Sequence, residues 1–346
     1  MRNWLLVGVF SLMLVSCSTD VDLYTDYMDI PVVYGLIEAQ ADTNYIKITK
    51  AFCNDDDNSI NPFEAAHVYD SSNYPGRLDV FIEELRSTSG QQFEPTGRSF
   101  FLDTLTIHDK KPGVFYSPHQ KLYYTTERFN INSGNNKYRY KLYVVKPEGD
   151  TATSETGIVA GDIAVSTPKV NFQSTPSDEF ERLTFSSTEE AVLYQIGMQF
   201  NYREIHPGQP EVKKEVSWDF GAKPLSMYEK LEGSDNYYRL YYPVNVLFNY
   251  MERAIGNDTV WDENHPNVIR YIDDFYVFIS AAGEDFNNYY QYMQAVQSGL
   301  SLSSDYSNII GGQGLFSSRI FIKKTVELSL QAKMDLFRKP WGFRER

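Results

Sequence analysis

The side chains of this 346-residue chain that could do chemistry are few and poorly grouped. Asn54-Asp55-Asp56-Asp57-Asn58-Ser59 is the densest run of oxygen ligands, the kind a hard cation such as calcium requires. Counted as an EF-hand loop from Asp55, its sixth position is Ile60 rather than Gly and its twelfth is Ala66 rather than Glu, so a solvated acidic loop is expected. Adjacent carboxylates occur at Glu83-Glu84, Glu189-Glu190 and Asp273-Asp274. Two carboxylates flanking one bond can hydrolyse a glycoside. Neighbours on a strand point to opposite faces, however, so no adjacent pair is placed to share a substrate. No Gly-x-Ser-x-Gly elbow, His-Glu-x-x-His helix or Walker loop occurs. Gly311-Gly312-Gln313-Gly314 lacks dinucleotide-loop spacing and precedes a strand pattern, so it reads as a tight turn or bulge with positive φ. The five histidines are scattered. No catalytic residue, metal ligand or cofactor is assigned, and a non-enzymatic protein is expected.

The thiols are more informative. There are two, separated by 53 − 17 = 36 positions, which excludes a disulfide-stapled scaffold and a four-thiolate zinc site. Cys17 ends a short leader: Arg2 supplies positive charge, and an apolar run from Trp4 to Val15 is too short to span a bilayer. Leu14-Val15-Ser16-Cys17 resembles the lipobox of a bacterial lipoprotein signal peptide. On that reading residues 1–16 are a signal peptide and Cys17 carries the lipid, with palmitate-type acyl chains holding the protein on a membrane. Residues 17–29 read as an acidic tether, in which Asp20, Asp22 and Asp26 resemble the surface-export signal of Bacteroidota lipoproteins. Cys53 then stands unpaired, and a small buried apolar residue is expected there.

Charge narrows the partners. Lys and Arg total 32 against 46 Asp and Glu, a net of −14, and the pI is near 4.9. Loss of Arg2 with the leader makes it −14 − 1 = −15. A general nucleic-acid binder needs a basic surface and is excluded. Residues 319–346 hold eight basic and three acidic side chains and read as a solvated strand with a frayed end.

Strand patterns dominate the elements that must position these groups. Runs 31–37, 45–50, 77–85, 122–131 and 138–145 alternate or are compactly apolar, with a hairpin signal at Ser133-Gly134-Asn135-Asn136. A Thr-rich strand follows the turn at Gly149-Asp150. Residues 30–163 are expected to form an immunoglobulin- or fibronectin-like β-sandwich. Thr167-Pro168 and Ser174-Thr175-Pro176-Ser177 mark a boundary near 160–180, and residues 164–346 are expected to form a second β-rich domain. Its strands are placed at 191–200, 212–220, 237–246, 268–280 and 319–330. Phe286, Tyr289 or Tyr290, Met293 and Val296 recur at helical spacing, which predicts an amphipathic helix over 284–297, its first turn acidic at Glu284 and Asp285.

Tyrosine is abundant, at 26 residues, and clusters as Tyr123-Tyr124, Tyr237-Tyr238, Tyr241-Tyr242 and Tyr289-Tyr290. On a strand one member of each doublet faces the core. The other can offer a flat apolar ring with a hydroxyl to a sugar or a partner protein, but tyrosine is also a favoured strand residue, and that plainer reading is the first expectation.

Four features together resemble an uncharacterised family of Bacteroidota outer-membrane lipoproteins often encoded beside TonB-dependent receptors of the starch-utilisation type. These are the lipobox at Cys17, the pair of runs 31–37 and 45–52, Tyr138 to Val144 before Thr151-Ala152-Thr153, and Tyr306-Ser307-Asn308-Ile309-Ile310-Gly311-Gly312-Gln313-Gly314-Leu315-Phe316. The resemblance implies an outer-membrane, cell-surface location and an accessory role at a nutrient-uptake complex, with a TonB-dependent receptor as partner and a glycan or peptide as ligand. It assigns no functional residues. A structural or adhesive envelope protein is the alternative, and a glycan hydrolase with carboxylates drawn from distant strands ranks third.

Overall fold

The computed structural model describes residues 30–51, 72–108, 119–172, 180–256, 268–299 and 305–345. Cys17, the tether to residue 29, Cys53, the 54–59 acidic loop and Ser174 to Ser177 lie outside the described residues.

The protein is mainly β. The first half supplies β1 (Pro31–Ile37), β2 (Asn44–Lys50), β3 (Asp79–Ser87), β4 (Glu94–Phe101), β5 (Asp103–Ile107), β6 (Gln120–Thr125), β7 (Lys137–Val145) and β8 (Thr151–Gly157). The second supplies β9 (Val165–Ser166), β10 (Phe180–Ser186), β11 (Leu193–Ile205), β12 (Val212–Pro224), β13 (Glu229–Lys230) and β14 (Tyr237–Pro243). Helix α1 (Val244–Gly256), β15 (Ile269–Ala282), α2 (Glu284–Gln297), β16 (Gln313–Val326) and α3 (Leu330–Arg338) complete it.

Alternation decides what each strand buries. In β1, Val33 and Ile37 turn inward while Tyr34 faces out; in β2, Ile46 and Ile48 turn inward while Tyr45 faces out. Their inner side chains meet Val80 and Ile82 of β3 and Tyr140, Leu142 and Val144 of β7 in one core. The sheet β4-β3-β7-β8 thus shares its apolar face with β1, β2 and β6. A second core joins β10, β11, β14 and β15 with α1 and α3.

Strand β16 connects the two cores. The eight-stranded sheet runs β12-β11-β15-β16-β1-β2-β6-β5. The first half of β16 lies parallel to β1, and its second half antiparallel to β15. Phe316 enters the first core, and Ile320 and Ile322 enter the second. The link between the halves is fastened to the same strand: the Ser318 hydroxyl donates to the Gly157 carbonyl at 2.7 Å and accepts from the Val159 N–H at 2.9 Å. At Gly314, paired with Val33, φ is +111°, and a Cβ would sit 2.0 Å from the Val33 carbonyl oxygen. Gly311 also has positive φ, at +74°, as the turn reading expects.

Several boundaries differ from the sequence expectations. The strand expected over 122–131 ends at Thr125. The strand expected over 237–246 ends at Pro243, and α1 begins at once, burying Val244, Phe248, Met251 and Ile255 at helical spacing. The basic C-terminal stretch is neither frayed nor wholly solvated. Ser329 caps α3 by accepting from the Ala332 N–H at 3.0 Å, and Leu336, Trp341 and Phe343 are buried.

A buried charge network holds that stretch. Arg270, fully buried, donates from Nε to Glu204 Oε2 at 2.7 Å and from Nη1 to the Trp341 carbonyl at 2.6 Å. Its backbone N–H donates to the Gly342 carbonyl, and its carbonyl accepts from the Arg344 N–H. Lys214 Nζ and His206 Nε2 meet the other Glu204 oxygen at 2.8 and 2.6 Å. Burial raises the Glu204 carboxyl, but hydrogen bonds from Lys214 and His206 and the Arg270 guanidinium outweigh it and hold the pKa below the ordinary value.

Candidate functional site

Five of the six adjacent carboxylates accept hydrogen bonds or form ion pairs. Glu84 is buried and accepts from Thr96, Arg98, Asn130 and Tyr140, whereas Glu83 accepts from the Tyr143 hydroxyl at 3.0 Å. Asp273 accepts both Arg203 Nε contacts at 2.7 and 2.9 Å, and Asp274 accepts from Tyr276. Glu189 binds Lys137 at 2.6 Å, and Glu190 sits at positive φ beside Gly157. The two members of the first two pairs face different partners, as alternation requires.

The tyrosines converge instead. The doublets on strands split as expected: Tyr123 and Tyr242 are buried, while Tyr124 is half-buried and Tyr241 exposed. A solvent-facing sheet surface is usually polar. The outer face of β1, β2 and β6 is aromatic. Tyr34 lies opposite Lys47, two residues from Tyr45, and Tyr45 lies opposite Tyr124 with ring centroids 6.3 Å apart. Tyr34 and Tyr45 are 46% and 45% exposed, so these rings are not sealed in a core.

Helix α2 forms the other wall. The Gly283 N–H, just before the helix, donates to the Ser318 carbonyl at 3.1 Å and fixes the helix start on β16. Glu284 and Asp285 occupy the first turn, where the helix dipole favours them. The predicted span 284–297 matches the helix, yet α2 has no fully buried residue. Its Phe286 and Tyr289 face the sheet across an open cleft of about 360 Å³, lined by Tyr34, Leu36, Tyr45, Phe286, Tyr289 and Leu315, with Glu38, Asn44 and Arg319 at its polar side. Tyr34 meets Tyr289 edge-on at 6.5 Å, and Tyr289 is 6.5 Å from Tyr306.

The polar groups here are mutually held. The Tyr306 hydroxyl donates to Asp285 Oδ1 at 3.1 Å, and the Tyr292 hydroxyl donates to Asp305 at 2.5 Å. Glu38 pairs with Arg319 at 3.5 Å. Burial pushes Tyr306 up to about 12, aided by the Asp285 carboxylate; burial also raises Tyr34, with Tyr289 and Asp305 adding to it. Asp285 is raised by burial despite hydrogen bonds from Tyr306 and Asn308. The Tyr306 and Tyr292 protons are thus committed to carboxylates, and the cleft offers a ligand mainly the apolar faces of its rings.

Asn308 fixes the segment that brings Tyr306 here: its side chain donates to the Phe316 carbonyl at 2.7 Å and accepts from the Phe316 N–H at 2.9 Å. The doublet reading located Tyr289 and Tyr124 but passed over the isolated Tyr34 and Tyr45. Their signal was available, since each is the outward residue of an alternating run. No protein-family model matches the chain, and no curated protein matches it.

Proposed function

We propose that the protein is a non-enzymatic, lipid-anchored outer-membrane protein that holds a ligand or partner in the tyrosine cleft, as an accessory to TonB-dependent nutrient uptake. The observation that carries the binding role is the uncovered aromatic face of β1, β2 and β6 beneath α2, where Tyr34, Tyr45 and Tyr289 offer their rings. Sugar rings suit such a surface, because their C–H faces stack on tyrosine while hydroxyls meet the Glu38, Asn44 and Arg319 side. The envelope location rests on Leu14-Val15-Ser16-Cys17 and the acidic residues after it. The first core, shared by two sheets, is read as a sandwich of immunoglobulin or fibronectin type.

Loss of one stacked ring is expected to cost about 1 kcal/mol, so Tyr45→Ala and Tyr289→Ala should each weaken retention on immobilised neutral polysaccharides by roughly five- to tenfold. Retention equal to that of the unsubstituted protein in both variants would remove the cleft from the reading. Pull-down from detergent extracts of the envelope is expected to recover a TonB-dependent receptor, and its consistent absence would count against the uptake role. Cys17→Ala is expected to leave the outer-membrane fraction. If that variant still sediments with the membrane, lipid is not the anchor.

A further inference from the structure

We propose that His108 and His119 form a two-imidazole site for a divalent transition-metal ion, taking copper most tightly, at the end of the β5–β6 pair. The register places them together. Asp103 pairs with Tyr124, and the ladder continues to Ile107 opposite Gln120, so the next step sets His108 opposite His119. Directly opposed residues on antiparallel strands project to one face with Cβ atoms about 5 Å apart, close enough for two imidazoles to converge on one point. They do converge: the two Nδ1 atoms are 2.7 Å apart, with ring centroids at 4.6 Å and planes at 73°.

At that distance one Nδ1 donates and the other accepts, so both rings turn the same nitrogen toward a shared centre. A metal ion takes the lone pair of each, with both rings in the Nε2–H tautomer. Metal–nitrogen bonds of about 2.0–2.1 Å held at a right angle separate the nitrogens by about 2.9 Å, and a tetrahedral angle separates them by about 3.3 Å. The nitrogen separation lies within about 0.2 Å of that for a square-planar or tetragonal ion and about three times further from that for zinc, and each ring must also turn its lone pair from its partner toward the ion. Geometry and the ordering of metal affinities both favour copper(II), followed by nickel. Both residues are exposed. Among the described residues no group of three or more His, Cys, Asp or Glu side chains is gathered for a metal, and the described ligands here are His108 and His119. Because β5 is the edge strand of the eight-stranded sheet, a bound ion would clip that edge to β6.

The test titrates the intact chain with copper(II), nickel(II) and zinc(II) separately, by calorimetry and, for copper, by electron paramagnetic resonance. One copper per chain is expected with hyperfine coupling to two nitrogens, in the affinity order copper, nickel, zinc. His108→Ala and His119→Ala should each weaken copper by at least about tenfold and remove one nitrogen coupling. His108→Asn, which keeps a polar side chain at this exposed position, should do the same if the alanine variant misfolds. The proposal is overturned if no copper binds below millimolar concentration, or if the variants bind it with the original affinity and spectrum.

Discussion

Arg270→Met is expected to destabilise the protein by about 3 kcal/mol, read as a lowered midpoint in urea unfolding followed by tryptophan fluorescence. Removing one partner of a buried ion pair costs about 3–5 kcal/mol, because the remaining charge stays desolvated and unpaired. Here Lys214 and His206 still meet one Glu204 oxygen, which places the cost at the lower end of that range. The loss also releases the Trp341 carbonyl that Arg270 Nη1 holds. The double variant Glu204→Leu with Arg270→Met removes both buried charges and should recover a large part of the stability. A change under about 1 kcal/mol for the single variant would mean that apolar packing of Trp341 and Phe343 alone holds the C-terminal stretch. The same network sets an acid limit. The folded pKa of Glu204 lies below its ordinary value of 4.5, so the unfolded state binds the proton first as pH falls. The stabilisation is fully present above the unfolded pKa and is lost as pH drops through the lower, folded one. Unfolding midpoints measured from pH 7 down to pH 3 should fall more steeply for the native protein than for the Glu204→Leu, Arg270→Met variant.

Gly314→Ala carries the other large effect. A Cβ at this position would lie 2.0 Å from the Val33 carbonyl oxygen and within 3.0 Å of two further Val33 backbone atoms, and φ is +111°. Backbone cannot swing aside as a side chain can, so the parallel pairing of β1 with β16 must open. Strain of about 1–3 kcal/mol for the dihedral, together with lost ladder hydrogen bonds, predicts a cost above about 3 kcal/mol. Gly76→Ala is the matched control, since a Cβ there meets nothing within 4 Å. Equal unfolding midpoints for the two variants would show that the seam tolerates a methyl group.

What was legible in the chain follows from how local each signal is. Strands β1, β2 and β7 alternate cleanly, and α2 repeats aromatic residues at three and four spacing, so period alone places them. Strand β4 gives no such signal: Glu94 to Ser99 are exposed or half-buried, and Pro95 and Gly97 interrupt the run. Helix α1 was obscured differently. Val244 and Val246 extend the strand text of β14, and only the spacing of Val244, Phe248, Met251 and Ile255 declares a helix. In α3 the Ser329 cap was readable, but the basic composition around it suggested a loose end. The cleft was half visible. Tyrosine doublets named some of its rings, but the meeting of α2 with β1 and β2 depends on the parallel β1–β16 pairing, which no local pattern encodes.

That pairing also orders events in time. Gly35 lies beside Phe316, a separation of 316 − 35 = 281 positions, and the Phe316 ring packs in the first core. A chain emerging from its amino end leaves that hollow unplugged until nearly all of it has been delivered. Closing the first core therefore waits on a contact between the two ends of the chain, and that step is expected to be slow.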